Sequence, residues 1–307
     1  MSIFYKNTLS ARIRRRISAI QHSFYVDVNP DHRAAVFVVG SGRSGTNWVA
    51  EVLNYDNAFR FVGEPFNRER VPLSRNFSNL QYLAPDDDRP EFLDPARTVF
   101  EGRVRSAWTD HLNRRLIART RIVKDVRSML MVAWIARHFP GMPIVYVLRH
   151  PCAVAHSRVR LRWRVRPRDV YTGQPALMRD HLEPFREIIE SAGTEFEQHV
   201  VDWCIENYVP VHQRCLDAVC VAYHERIKAD RGAEFRRIFA YAGRTFDDAA
   251  IERSAKRSAT AFASSSARVD WFDQHSPDEI RRAMEIVRGF GLDALYGDDP
   301  MPRTAGV

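Results

Sequence analysis

From Ala34 the chain runs through Ala35-Val36-Phe37-Val38-Val39 without a polar side chain, a pattern that predicts a strand buried on both faces. A glycine-rich turn and a helical stretch reaching Leu53 follow at once. Phe59-Arg60-Phe61-Val62 predicts a second strand, placed beside the first. Ile122-Val123 and Ile144-Val145-Tyr146-Val147-Leu148 bracket a helix expected from Ser128 to Phe139, which makes a βαβ unit. Val219-Cys220-Val221-Ala222-Tyr223 predicts another strand, and helices are expected at 232–242, 248–256 and 277–290, with one more near 104–118. Loops are expected around Asp86-Asp87-Asp88-Arg89-Pro90 and at Ser264-Ser265-Ser266. This alternation predicts an α/β fold of three layers, a mostly parallel sheet flanked by helices. Such sheets bind ligands beyond the carboxyl ends of their strands.

Residues 1–33 read as a basic leader in which Ile13, Ile17 and Ile20 recur at helical spacing up to Asn29-Pro30-Asp31. It suits a solvated helix on the domain edge, or peripheral contact with a membrane surface. The expected organisation is therefore a leader at 1–33, one domain at 34–300 and a short tail at 301–307, since 307 residues with 45% apolar content support one sizeable core. The formal charge of +8 includes a cluster at Arg12, Arg14, Arg15 and Arg16. It favours anionic partners without choosing among nucleotides, glycans, nucleic acid and membranes. No nucleic-acid-binding motif is recognisable, so nucleic acid is not expected. Cys152, Cys204, Cys215 and Cys220 have neither metal-site spacing nor disulfide density, which predicts no metal centre and a reducing, cytoplasmic setting. No run approaches the roughly 20 apolar residues of a membrane span.

Candidate chemistry concentrates in Gly40-Ser41-Gly42-Arg43-Ser44-Gly45-Thr46-Asn47-Trp48, between the first strand and its helix. Glycines let several N–H groups turn inward, and the helix N-terminus adds partial positive charge, so the loop favours an anion. It resembles a Walker A loop in context and spacing, but Thr46 stands where the lysine belongs and the cation has moved to Arg43. The fold is therefore read as P-loop type. In ATP-using relatives of such loops a strand of the same sheet ends in a magnesium-holding aspartate, whereas Ile144–Leu148 ends in Arg149. A cation there suits a second phosphate locus, with Ser157 nearly two helical turns further on. Asp125 remains open as a metal ligand.

Together these residues resemble the sulfotransferases that use 3′-phosphoadenosine-5′-phosphosulfate (PAPS), and bacterial and carbohydrate-type members in particular. Arg43-Ser44-Gly45-Thr46-Asn47-Trp48 is similar to the family's 5′-phosphosulfate loop, and Val145 through Arg149-His150-Pro151 to Ser157 is similar to its 3′-phosphate segment. Gly63-Glu64-Pro65-Phe66 and Lys124-Asp125-Val126-Arg127 carry the likeness further, and weaker similarity extends to about residue 297. The resemblance implies that Gly42, Arg43, Ser44, Gly45, Thr46 and Asn47 hold the 5′-phosphosulfate. It implies also that Trp48 meets adenine, and that Arg149 and Ser157, with Arg257 and Ser258 as further candidates, hold the 3′-phosphate. On packing grounds Trp48 suits the core equally well.

The implied reaction moves a sulfuryl group to a hydroxyl or amine, leaving 3′,5′-adenosine bisphosphate. Arg43 is the expected stabiliser of the leaving charge, and Glu64 the expected base, with Asp125 and His111 as fallbacks. Where small-molecule sulfotransferases place a histidine after Lys-Thr, this chain reads Lys124-Asp125-Val126, which favours a carbohydrate or glycolipid acceptor. The alternatives are a P-loop kinase or nucleotidase, and a non-enzymatic polyanion binder.

Overall fold

The computed structural model describes residues 25–303, apart from positions 114, 167, 250 and 253–270. Its strands are β1 (Val26–Asp27), β2 (Ala35–Gly40), β3 (Arg60–Gly63), β4 (Ile117–Ala118), β5 (Arg121–Asp125), β6 (Ile144–Leu148) and β7 (Cys220–Tyr223). Five of them form one parallel sheet in the order β3-β5-β2-β6-β7, while β1 and β4 pair as a separate ribbon. The α/β architecture is as expected, but β3 does not lie beside β2. Strand β5 separates them, pairing Asp125 with Val39 on one side and Lys124 with Gly63 on the other.

The helices are α1 (Thr46–Leu53), α2 (Pro90–Phe100), α3 (Val132–His138), α4 (Pro151–Arg160), α5 (Glu195–His212), α6 (His224–Ala229), α7 (Arg231–Tyr241) and α8 (Pro277–Gly289), with shorter turns between α4 and α5. Period-two alternation along β2 makes both outer layers necessary. Ala35, Phe37 and Val39 enter a core with Phe100, Trp134 and Trp203, while Val36 and Val38 enter another with Trp48, Phe235 and Phe239.

Helices α2, α5 and α6 escaped the apolar-pattern reading. Helix α2 starts with Pro90 at its first turn, and α5 carries a capping box between Thr194 and Glu197. None of the described residues of the helix expected near 104–118 is helical; they form a series of turns ending in β4. Asn113 explains the difference, because its side chain takes the Phe61 N–H at 2.6 Å and donates to the Phe61 carbonyl at 3.0 Å. The Gly63 N–H likewise donates to the Thr109 carbonyl at 3.0 Å, so the segment covers the outer edge of β3. Residues 25–33 are bonded to the sheet through the buried Asp27–Arg121 ion pair of 2.6 Å. Within the expected 248–256 helix, residues 248, 249, 251 and 252 are helical; Arg257, Ser258 and the serine run at 264–266 lie outside the described residues.

Candidate active site

Close backbone approach shapes the loop after β2. A Cβ on Gly40 would lie 2.4 Å from the Val147 carbonyl oxygen, so only glycine lets β2 and β6 run on to the loop at this spacing. At Gly45 the φ of 101° and a would-be Cβ 2.7 Å from His224 Nδ1 both exclude a side chain. Arg43 adopts the left-handed region at φ 84° without being glycine, a strain of about 1–3 kcal/mol that recurs at functional sites. Helix α1 then begins at Thr46 with no side chain capping it. Its first N–H groups are left for an anion.

Arg43 joins the two segments that the sequence singled out. Its Nε donates to Ser157 Oγ at 3.1 Å, and its carbonyl accepts from Arg149 Nη1 at 3.0 Å. Burial lowers the Arg43 pKa, and the nearby Arg149, Arg160 and Arg158 lower it further. Burial likewise lowers that of Arg149, an effect that the nearby Glu225 carboxylate partly offsets and Arg160 slightly reinforces. Neither guanidinium forms an ion pair among the described residues, so two enclosed cations face each other across the loop. Ser44 Oγ, Trp48 Nε1 and His224 Nδ1 are buried there without a hydrogen-bond partner. Buried polar groups are rarely left so, and cations in excess with orphaned donors fit a bound polyanion.

Helix α5 holds this arrangement from beneath, a role that no local motif announces. Trp203, Glu206 and Asn207 fall on one helical face by their i, i+3, i+4 spacing. Trp203 Nε1 donates to the Arg149 carbonyl at 3.1 Å, and Asn207 Nδ2 donates to Ser41 Oγ at 3.1 Å. Glu206 accepts from Arg158 Nη2 at 3.2 and 2.9 Å and pairs with Arg166 Nη1 at 2.5 Å, while Arg158 Nε donates to the Gly42 carbonyl at 3.3 Å. A buried pair contributes less to stability than to geometry, since desolvation offsets its Coulomb gain. Here it orients the loop.

On the other side of the loop, Glu64 follows β3 at the same carboxyl edge, also with a positive φ of 50°. Two strand spacings separate β3 from β2, or about 10 Å. The Glu64 carboxylate is clasped by Lys124 Nζ at one oxygen and by Arg127 Nη1, at 2.6 Å, at the other, with the Val126 N–H at 3.3 Å. Lys124 and Arg127 are thus partners that sequence spacing alone did not assign. Asp125 is fully buried and accepts from the N–H groups of Phe66 (3.0 Å) and Arg127 (2.6 Å) and from Ser128 Oγ (3.1 Å). Burial first, and Glu64 second, raise its pKa to about 6. Its oxygens are committed to the loops around it, which leaves no exposed face for a metal or a substrate.

The remaining candidates fall into two groups. Gly42, Ser44 and Thr46 are buried in the loop, and Asn47 is exposed on the first turn of α1. Trp48 is buried, meeting His224 and Phe235 edge to face at 5.7 Å each. It braces His224, whose pKa burial pushes well below the usual imidazole range, with Arg149 and Lys228 adding to the effect. His111 is exposed beyond β3, its Nδ1 2.6 Å from the Trp108 carbonyl.

A parallel sheet whose central strand runs into an arginine-bearing phosphate loop, with a second arginine at the next strand end, defines an anion-binding α/β protein of P-loop type. The profile of the sulfotransferase family matches residues 35–248, more than half of the chain, and the chain belongs to that family. No curated protein matches the sequence. Among solved structures, mouse sulfotransferase SULT7A1 complexed with PAP is 16% identical with a TM-score of 0.46, over 90% of this chain and 92% of that one. The sulfotransferase domain of the Synechococcus PCC 7002 olefin synthase is 16% identical with a TM-score of 0.42, over 82% and 86%. Retinol dehydratase in a complex with retinol and PAP is 13% identical with a TM-score of 0.42, over 95% and 88%. No described helix is long and apolar enough to cross a membrane.

Proposed function

We propose that this sulfotransferase takes its sulfuryl group from PAPS and transfers it to a hydroxyl or amine of a carbohydrate or glycolipid acceptor. The observation that carries the reading is Arg43, an enclosed guanidinium without an ion pair, bonded at once to Ser157 and, through its carbonyl, to Arg149. Such a residue brings a 5′-phosphosulfate locus and a 3′-phosphate locus into one site. The 5′ group would rest on the loop N–H groups and Ser44, and the 3′-phosphate on Arg149 and Ser157. In transfer, the bond between sulfur and the 5′-phosphate oxygen breaks as the acceptor oxygen or nitrogen bonds to sulfur. Arg43 stabilises the charge left on the 5′-phosphate. The acceptor's proton passes to a base at the Glu64 side of the cleft. Lys124 and Arg127 compete for the same carboxylate, so Glu64 works as a base only while one of its oxygens is free of them.

Thermal shift without added metal tests the donor. With 3′,5′-adenosine bisphosphate at 100 times its dissociation constant, stabilisation of about 2.7 kcal/mol is expected, and a much smaller effect from adenosine 5′-monophosphate. Equal shifts for the two nucleotides, or a larger one for ATP with magnesium, would overturn the reading.

A further inference from the structure

Water favours apolar side chains turned inward and charges turned outward, and the β1–β4 ribbon does the reverse. Asp27 of β1 points into the protein, paired with Arg121, and neither side chain is exposed. Val26 and Val28, on either side of it, are 45% and 49% exposed, and Ile117, the register partner of Val26, is 66% exposed. Of the ten large apolar side chains exposed among the described residues, six are Val26, Val28, Trp108, Leu112, Leu116 and Ile117, whereas Leu161, Tyr241, Phe272 and Met301 come from four separate parts of the chain. Hydrogen bonds hold the first group together. The Val26 N–H donates to the Leu116 carbonyl at 2.7 Å and that of Val28 to the Ala118 carbonyl at 3.0 Å. Tyr25 Oη donates to the Asn113 carbonyl at 3.0 Å, which sets Leu112 beside the start of β1. Single exposed apolar residues are ordinary, but a contiguous patch marks a surface that something covers.

The charge around this patch has one sign. Arg105, Arg115 and Arg119 are exposed and pair with no described carboxylate. Arg105 donates to the carbonyl of Gly102, a residue that lies against Asp27, at 2.8 Å, and Arg115 and Arg119 flank Leu116 and Ile117 along the chain. Between residues 104 and 120 the sole carboxylate is that of Asp110, which is buried against Arg60. The chain enters β1 from residues 1–24, which contain Lys6, Arg12, Arg14, Arg15 and Arg16 and no aspartate or glutamate. That stretch adds charge of the same sign and cannot neutralise the patch.

These features choose among occupants. A second copy of the chain would set arginine against arginine, and so would residues 1–24, so like charge opposes both. A bilayer with anionic lipids answers both halves of the surface. Its acyl boundary takes the aliphatic side chains and the indole, while the arginines bury their stems and keep their guanidinium groups among the anionic headgroups. We infer that the edge formed by β1, β4 and the turns at 104–118 docks the protein on an anionic membrane surface. This edge adjoins the Glu64 side of the site. The Gly63 N–H donates to the Thr109 carbonyl, and Arg70, in the loop after Glu64, lies over the ring of Trp108 at 5.4 Å. Docking therefore brings the loop after Glu64 to the level of the headgroups. The inference stands apart from the sulfotransferase reading, because none of its residues belongs to the phosphate loop or to α4.

Co-sedimentation of the whole chain tests it with two kinds of vesicle, phosphatidylcholine alone and phosphatidylcholine with phosphatidylserine in equal parts. Binding to the mixed vesicles should be about tenfold or more tighter than to phosphatidylcholine, and should weaken as salt is raised. Leu116→Ser with Ile117→Ser should lower partitioning by about tenfold or more, and Arg115→Gln with Arg119→Gln by about fivefold or more. Both pairs are exposed, so melting temperature and affinity for 3′,5′-adenosine bisphosphate should stay at their wild-type values. If the serine pair lowers the melting temperature, the arginine pair decides. Arg14→Gln with Arg15→Gln and Arg16→Gln is the comparison: loss of binding in that variant, with both edge variants binding as the wild type does, would make residues 1–24 the anchor and overturn the inference. Failure to bind the mixed vesicles, or a wild-type dimer that the serine pair converts to a monomer, would overturn it as well.

Discussion

Arg43 and Ser157 are 114 residues apart in sequence, yet the arginine donates from Nε to the serine hydroxyl over 3.1 Å. This bond ties the loop after β2 to helix α4 across the carboxyl edge of the sheet. Arg149 completes the link by donating to the Arg43 carbonyl. A ligand with two anionic groups would therefore meet a single connected unit.

Arg149 is held in that unit without an ion pair, at an electrostatic cost, so binding and stability should part company on its removal. Arg149→Ala should weaken 3′,5′-adenosine bisphosphate by about 10- to 100-fold, corresponding to one charge-assisted contact. The ligand-free melting temperature should stay level or rise. Ser157→Ala should cost about fivefold in affinity, as for one neutral hydrogen bond. Unchanged affinity of the arginine variant in calorimetry would reject the 3′-phosphate assignment.

Arg43 is assigned to charge that grows during transfer, so Arg43→Ala should depress turnover more than it weakens the product nucleotide. Parallel losses in kcat and in product affinity would mean that the residue only binds. Steady-state kinetics and calorimetry on one preparation separate the two outcomes.

Glu64→Gln keeps the side-chain size and removes the charge that Lys124 and Arg127 share. If Glu64 is the base, transfer to an alcohol should fall by about 10²- to 10⁴-fold with nucleotide affinity nearly intact. A carboxylate that serves only to hold the two cations would instead show a lowered melting temperature and near-normal turnover per folded molecule.

Gly45→Ala places a methyl group at φ 101° and 2.7 Å from His224 Nδ1. It should destabilise the protein by about 1–3 kcal/mol in a denaturant titration, and should abolish nucleotide binding because the loop N–H groups can no longer converge. Wild-type affinity in a folded variant would show that the loop does not hold the anion.

Acid should destabilise the fold. Burial lowers the His150 pKa from 6.5 to about 4, with its Nδ1 accepting from the Cys152 N–H and its ring stacked on Trp271 at 4.4 Å. A depressed histidine contributes stability that is full above pH 6.5 and is lost as the pH falls towards 4, by about 1.4 kcal/mol per unit at the steepest. His224 acts in the same direction. Asp125, raised to about 6, acts in the opposite one, gaining stability on protonation. With His150, His181 and His224 depressed by burial against Asp125 and Glu225 raised by it, melting temperature should fall between pH 7 and pH 5. A flat or rising profile would contradict the burial of these rings.

The apolar run of β2, the glycines after it, the arginine ending β6 and the proline opening α4 were all legible, because each reports a local requirement of backbone and solvent. A strand buried on both faces has to be apolar, and a tight turn before a helix has to contain glycine. Family membership follows from those same positions. The order of the strands was not legible, since β3 and β5 have similar patterns and either could lie beside β2. The segment 104–118 was misread as a helix because Asn113 and Thr109 find their partners on β3, which local periodicity does not show. Helix α5 went unassigned for the same reason: Trp203, Glu206 and Asn207 carry meaning only once Arg149, Arg158 and Ser41 stand opposite them. The sequence by itself determined which residues can hold an anion. Only the tertiary structure decided that Glu64 is shared between Lys124 and Arg127, because charge pairing depends on distances between strands that the chain reaches only by folding.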